Sequence, residues 1–280
     1  MAGLEADGII GPATLRLLNQ SNAQRLRQLR VNLERWRWLP EDLGQRHIRV
    51  NIADFALKAF SNGKLQREHP VIIGRNYRQT PVFSGQVRYL VFNPWWETPA
   101  SIARKDKLPE FKADPSKVKQ QGFELRDTDG NILNPDSVDW RSYSVNRLPI
   151  RMRQRPGPNN ALGKVKIMFP NPHSVYLHDT PGKALFNKTE RAFSSGCVRV
   201  KDAMELSRWL LQANSDSDKA LLDKSQNDFE ERRANLKSPV HVHINYITTV
   251  VTKDGDIRYL NDVYERDARV ATALGISADQ

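Results

Sequence analysis

Residues 176–199 read YLHDTPGKALFNKTERAFSSGCVR and contain the chain's only cysteine, Cys197. Ser194, Ser195 and Gly196 precede it, Val198 and Arg199 follow it, and His178 stands upstream on the apolar run Val175-Tyr176-Leu177. A thiol attacks as thiolate, so it needs a base or a partner for the charged form. Ser-Gly before the thiol suits a tight turn whose backbone N–H groups, those of Gly196 and Cys197, could cradle a developing oxyanion. Strand alternation in VYLHD sends Tyr176 and His178 to one face and Leu177 to the other, so both could line one cleft. A cysteine and a histidine alone fit a small buried hydrophobe equally well. The full string decides between the two.

SSGCVR with a histidine upstream, set in HDTP, resembles the active-site motif of the YkuD-type L,D-transpeptidases, and most closely their large YcbB-like branch. The resemblance implies a mainly β fold with peripheral helices (α+β): a YkuD-like β-sandwich catalytic domain with an inserted capping subdomain. It also implies peptidoglycan chemistry. Cys197 would attack the bond between the third residue and the terminal D-Ala of a tetrapeptide stem and hold the acyl group as a thioester. The amine of another stem would then take that group, giving a 3→3 cross-link. Carbapenems resemble the donor and would acylate Cys197. Two positions depart from the commonest family pattern: Ser195 stands where many members have His, and Asp179 where many have Gly. The third member of the catalytic set, after Cys197 and His178, is therefore either the Asp179 carbonyl or its carboxylate.

For the remaining site residues several roles stay open. His178 serves as base and then acid, or holds the thiolate as an ion pair. Tyr176 offers a hydroxyl to the oxyanion. Ser194 and Ser195 position substrate. Arg199 binds a substrate carboxylate or braces the loop, and Arg suits both.

Outward from this stretch, residues 201–212 (KDAMELSRWLLQ) read as an amphipathic helix, which would start close behind Cys197 and favour the thiolate through its macrodipole. Upstream, residues 48–60, 65–75, 87–96 and 161–169 read as strands. Between the last two, residues 102–157 are charged and turn-rich but carry Phe111, Phe123, Leu125, Ile132, Trp140 and Tyr143, which could form a small core. A stretch of this kind inside a compact domain is functional or disordered, and we take it as the cap. Residues 217–233 read as a second, charged helix. HVHINYITTVV and DIRYL form a hairpin around Asp254-Gly255, and a last helix ends near Gly275. His241 and His243 share a strand face, but no carboxylate or cysteine completes a metal site.

At the N-terminal side, residues 1–20 resemble the end of a small helical peptidoglycan-binding domain, in the phrase ADGIIGPATLRLLN. Residues 21–45 form a linker helix with Leu26, Leu29, Leu33 and Trp36 as its apolar stripe and Arg25, Arg27, Arg30 and Arg35 solvated. The catalytic domain is residues 46–280.

The net charge of +11 fits attraction to polyanions. No zinc-finger spacing or RRM signature points to nucleic acid, and anionic envelope polymers fit the cysteine motif better. One cysteine excludes an internal disulfide, and no run approaches a membrane span. The expectation is a monomeric periplasmic or cell-envelope enzyme without cofactor or metal, its partners being peptidoglycan stem peptides and carbapenem β-lactams. Alternatives are a cysteine L,D-carboxypeptidase that gives the same thioester to water, and attachment of a lipoprotein to the wall. A binding module with an inert Cys197 is the reading from another class.

Overall fold

The structure, a computed structural model, describes residues 8–276 apart from 12, 13, 16, 17 and 253. Most of the expected peptidoglycan-binding remnant at residues 1–20 lies outside the described residues.

Among the described residues nine strands make one sheet, in the order β11-β3-β12-β10-β9-β4-β13-β1-β2. They are β1 (Arg46–Asn51), β2 (Ala56–Ser61), β3 (Lys64–Gly74), β4 (Phe83–Phe92), β9 (Val165–Met168), β10 (Leu177–His178), β11 (Ala192–Ser194), β12 (Val198–Val200) and β13 (Arg232–Asn245). Strand β3 closes the sheet on itself. Its first half pairs antiparallel with β2, and Val71 and Ile72 pair with β12. Alternation then sorts the side chains: Ile48, Val50, Leu90, Ile167, Leu177, Val198 and Val242 point inward and are buried. The fold is thus mostly β, a closed barrel-like sandwich with helices around it.

Between β4 and β9 the chain leaves the barrel and builds a second layer. β5 (Trp96–Glu97), β6 (Phe123–Arg126), β7 (Ile132–Leu133) and β8 (Arg151–Gln154) form a separate sheet in the order β5-β8-β6-β7. Two short helices, Leu108–Ala113 and Ser116–Gln120, pack on it. The layer has its own core. Phe111 meets Phe123 and Trp140 edge-on, with ring centroids 5.2 and 5.7 Å away, and Leu125 and Met152 fill in beside them. The aromatics noted in the sequence are what order this charged segment; Ile132, expected among them, is instead exposed, on the edge strand β7. The core extends from Trp96 to Leu162, wider at both ends than residues 102–157.

Helix α1 (Asn22–Arg37) starts in a capping box: the Gln24 amide donates to the Ser21 hydroxyl at 3.2 Å, and the Ser21 amide to the Gln24 side chain at 2.9 Å. Its docked face is not the expected one. Leu26, Leu33 and Trp36 are exposed, while Val31, Asn32 and Arg35 are buried. The reason is polar. Asn32 accepts the Thr248 amide at 2.7 Å and donates to the hydroxyls of Thr248 and Thr249, and Arg35 pairs with Asp267 at 2.5 Å. Arg35 is therefore an anchor and not a solvated residue.

The helix after the cysteine also differs from expectation. It spans Ala203–Leu210, and β12 lies between it and Cys197. The macrodipole acts within about the first turn, so it does not reach the thiol. The charged helix expected at 217–233 covers Asp216–Asn227, because Arg232 already belongs to β13. The hairpin around Asp254-Gly255 is β14 (Thr249–Val251) with β15 (Ile257–Tyr259).

Candidate active site

A cleft of about 940 Å³ lies between the two layers. Tyr176, His178, Ser194, Ser195, Gly196, Cys197 and Arg199 line it from the barrel, and Trp96, Ile102, Asp106 and Leu162 line it from the second layer. Strand pairing brings these residues together. β10 and β12 run parallel, with Leu177 opposite Val198 and His178 opposite Arg199. The Val198 amide donates to the Tyr176 carbonyl at 3.1 Å, which sets Cys197 beside Tyr176. Leu177 and Val198 face the core, so the alternate residues Tyr176, His178, Cys197 and Arg199 all face the cleft.

His178 is buried, and its Nδ1 lies 2.5 Å from the backbone carbonyl of Asp179. A carbonyl only accepts, so Nδ1 carries the proton and the Nε2 lone pair is free to accept another. Burial is the main cause that lowers the His178 pKa, to about 3; the nearby Arg199 charge and Lys166 add to it, and the Asp179 carbonyl opposes it. At neutral pH the ring is therefore neutral. Of the two possibilities for Asp179, the carbonyl orients the ring. The carboxylate is engaged elsewhere, accepting the Lys164 amide at 2.9 Å and pairing with Lys183.

Burial raises the pKa of Cys197, while the backbone and hydroxyl of Tyr176 and the charges of Lys166 and Arg199 pull it back. The net shift is upward and favours the uncharged thiol, which donates to the Ser174 carbonyl at 3.8 Å. Tyr176 packs edge-on against His178, ring centroids 5.5 Å apart, and burial raises its own pKa.

The loop carrying Cys197 is held from inside. The Ser194 hydroxyl donates to the Cys197 carbonyl at 2.5 Å and accepts the Gly196 amide at 3.1 Å. Ser194, expected to position substrate, and Gly196, expected to offer its N–H to an oxyanion, are thus both engaged within the loop itself. Thr80 fixes the same loop from the β3–β4 connection. Its hydroxyl donates to the Gly196 carbonyl at 2.9 Å and accepts the Gly74 amide at 2.9 Å. Gly74 must be glycine, since a Cβ there would lie 2.1 Å from the Arg78 carbonyl oxygen. Gly196 has φ +117°, a backbone that other residues rarely adopt. Ser195 is exposed and accepts from Arg78 at 2.9 Å, and Arg78 also grips Asp106 of the second layer at 2.5 and 3.1 Å.

Arg199 faces the cleft without a carboxylate or carbonyl partner among the described residues, and its Nε is buried and unpaired. Burial is the main cause that lowers its pKa, followed by the like charge of Arg75. The two histidines of β13 lie elsewhere. The ring of His243 bonds Ser84 and the Leu43 carbonyl, and His241 stacks on it. Among the described residues no cluster of His, Cys, Asp and Glu has the make-up of a metal site. Sequence reasoning missed Thr80, Arg78, Asp106 and Lys166. Only Lys166 left a trace there, as the outward residue between Val165 and Ile167.

The sequence of residues 45–242 matches the family model of the YkuD L,D-transpeptidase catalytic domain. A Haemophilus influenzae protein named "Putative L,D-transpeptidase" is 35% identical over 250 residues, covering 88% of this chain and 49% of its own length. The chain therefore spans about half of that relative. Among solved structures, the chain is similar to the catalytic domain of an Enterococcus faecium L,D-transpeptidase. It is 12% identical, with 73% of this chain and 99% of that one covered and a TM-score of 0.30. Mycobacterium tuberculosis L,D-transpeptidase 3 with a faropenem-derived adduct is another, at 12% identity, 72% and 60% coverage and a TM-score of 0.34. The superpositions are loose, and it is the sequence match over most of the chain that shows the chain to belong to the YkuD L,D-transpeptidase family.

Proposed function

We propose that this chain is the catalytic part of a cysteine L,D-transpeptidase that forms 3→3 peptidoglycan cross-links in the cell envelope. One observation carries the reading: a neutral imidazole with a free Nε2, a thiol and a tyrosine hydroxyl share one face of two paired strands and open into one cleft. His178 Nε2 takes the Cys197 proton as Sγ attacks the amide carbonyl. The tetrahedral oxyanion lies against the Cys197 N–H and the Tyr176 hydroxyl. The C–N bond breaks, and the imidazolium proton goes to the departing D-Ala amine, leaving a thioester. An incoming stem amine then loses a proton to His178 as it displaces the thiol. The unpaired Arg199 supports binding of a substrate carboxylate over a bracing role. Like the relatives solved as β-lactam adducts, this chain should be acylated by such compounds at Cys197. The second layer we read as the cap of the large YcbB-like branch.

The test is incubation with a disaccharide tetrapeptide and, separately, with imipenem, followed by mass analysis of protein and products. Cross-linked dimer with loss of D-Ala, and a Cys197 adduct that Cys197→Ala abolishes, are the expected results. An intact thiol after prolonged imipenem treatment, with no dimer, would overturn the reading.

A further inference from the structure

Lys166 stands on β9 directly opposite His178 on β10, and the neighbouring Val165 and Ile167 point into the core. Its ammonium is therefore delivered to the same outer face as the reacting groups. It comes to rest 4.2 Å from the centroid of the Tyr176 ring. Among the described residues it has no ion-pair or hydrogen-bond partner, and its carboxylate neighbours Glu97 and Glu231 act on it only as more distant charges. A half-buried ammonium that forgoes a carboxylate for an aromatic face is costly to keep unless the ring gains by it.

We infer that Lys166 is a positioning residue that acts through Tyr176: its charge pins the ring with the hydroxyl toward Cys197 and makes that hydroxyl a stronger donor. A cation over a π face withdraws electron density from the ring, and a phenol so polarised gives a better hydrogen bond to an oxyanion or thiolate. The same ring also meets His178 in an edge-on arrangement, with centroids 5.5 Å apart. The same charge opposes protonation of His178 and favours ionised Cys197. Tyr176, Lys166, His178 and Cys197 thus form one electrostatic unit, in which the lysine touches no substrate. This inference rests on the reading of Cys197 as the nucleophile.

The test is a double-mutant cycle on acylation by imipenem, followed by intact mass. Lys166→Met should slow acylation about tenfold when Tyr176 is present, in the upper range for a cation–π contact. In a Tyr176→Phe background the same change should cost clearly less, about threefold, because the part carried by the ring is lost while the direct charge effect on Cys197 remains. Lys166→Arg keeps the cation over the ring and should recover most of the rate, whereas Lys166→Gln should not. Equal losses in both backgrounds, or no loss, would overturn the inference. Should Lys166→Met fail to fold, the Gln and Arg variants carry the same comparison. Alkylation of Cys197 by iodoacetamide across pH separates this idea from the functional reading. Lys166→Gln should move the thiol midpoint upward even if imipenem fails to react with any form of the protein, which would sink only the functional reading. An unmoved midpoint together with unaffected imipenem acylation sinks only the role of Lys166.

Discussion

The ring Nδ1 of His178 is bonded to the backbone carbonyl of its own neighbour, Asp179, at 2.5 Å, while the Asp179 carboxylate points away to the Lys164 amide and Lys183. A backbone group thus orients the His178 imidazole, and the side chain at 179 is left to its own contacts with Lys164 and Lys183. Asp179→Asn should keep imipenem acylation within about fivefold of wild type, since the tautomer is set by a carbonyl that the substitution retains. It should lower stability, by about 1–3 kcal/mol for weakening a charged hydrogen bond to a buried amide. Stopped-flow acylation and urea melts of the same protein measure both. A loss near a thousandfold with intact folding would mean that the carboxylate is the working group.

His178→Gln should slow acylation by about two to four orders of magnitude, the worth of a positioned general base. Because burial holds the wild-type ring neutral far below its ordinary range, acylation should show no protonation step near pH 6.5. A rate that halves around that pH in wild type, and not in His178→Gln, would contradict the neutral-pair mechanism.

The same shift makes stability depend on pH. The His178 pKa is near 6.5 when unfolded and about 3 when folded, so between these values the unfolded chain binds the extra proton. Stability is full above the upper value and falls as pH drops toward the lower one. His178→Gln removes this contribution. Urea midpoints of the variant should therefore decline less than those of wild type on acidification through this window, and parallel declines would show that other groups dominate.

Thr80→Val should loosen the cysteine loop without touching substrate. The hydroxyl is buried and serves both the Gly196 carbonyl and the Gly74 amide. Its loss strands two buried backbone groups at about 1–3 kcal/mol each. Amide exchange in residues 194–197 should quicken and acylation should slow. Unchanged exchange there would show that Ser194 holds the loop alone.

The link from Asp106 through Arg78 to Ser195 ties the second layer to the rim of the cysteine loop. We read that layer as a lid that excludes water from the thioester. Asp106→Ala removes a partly exposed ion pair worth about 0–1 kcal/mol. It should leave imipenem acylation intact and raise the share of hydrolysed over cross-linked product a few-fold. An unchanged product ratio, with residues 100–113 as protected from hydrogen exchange as before, would refute the lid.

What the sequence determined is what a one-dimensional pattern can carry. A single cysteine left one candidate for the thiol. The two-residue period of a strand put Tyr176 and His178 on one face before any partner was known, and six aromatic or aliphatic residues marked a core inside an otherwise charged insertion, of which all but Ile132 pack into it. What only the tertiary structure decided depends on contacts between distant parts of the chain. Thr80 reaches Gly196, and Arg78 joins Asp106 to Ser195, across separations that periodicity does not encode. Arg35 looked solvated because helical spacing favoured the leucines, yet Asp267 and the Thr248 turn chose the opposite face. Cys197 looked like a helix-terminus thiol until β12 took the three residues after it into the sheet. Its ionisation is therefore set by burial and by side chains on neighbouring strands, because the fold, through strand pairing, decides which charges stand within a few ångströms of a given atom.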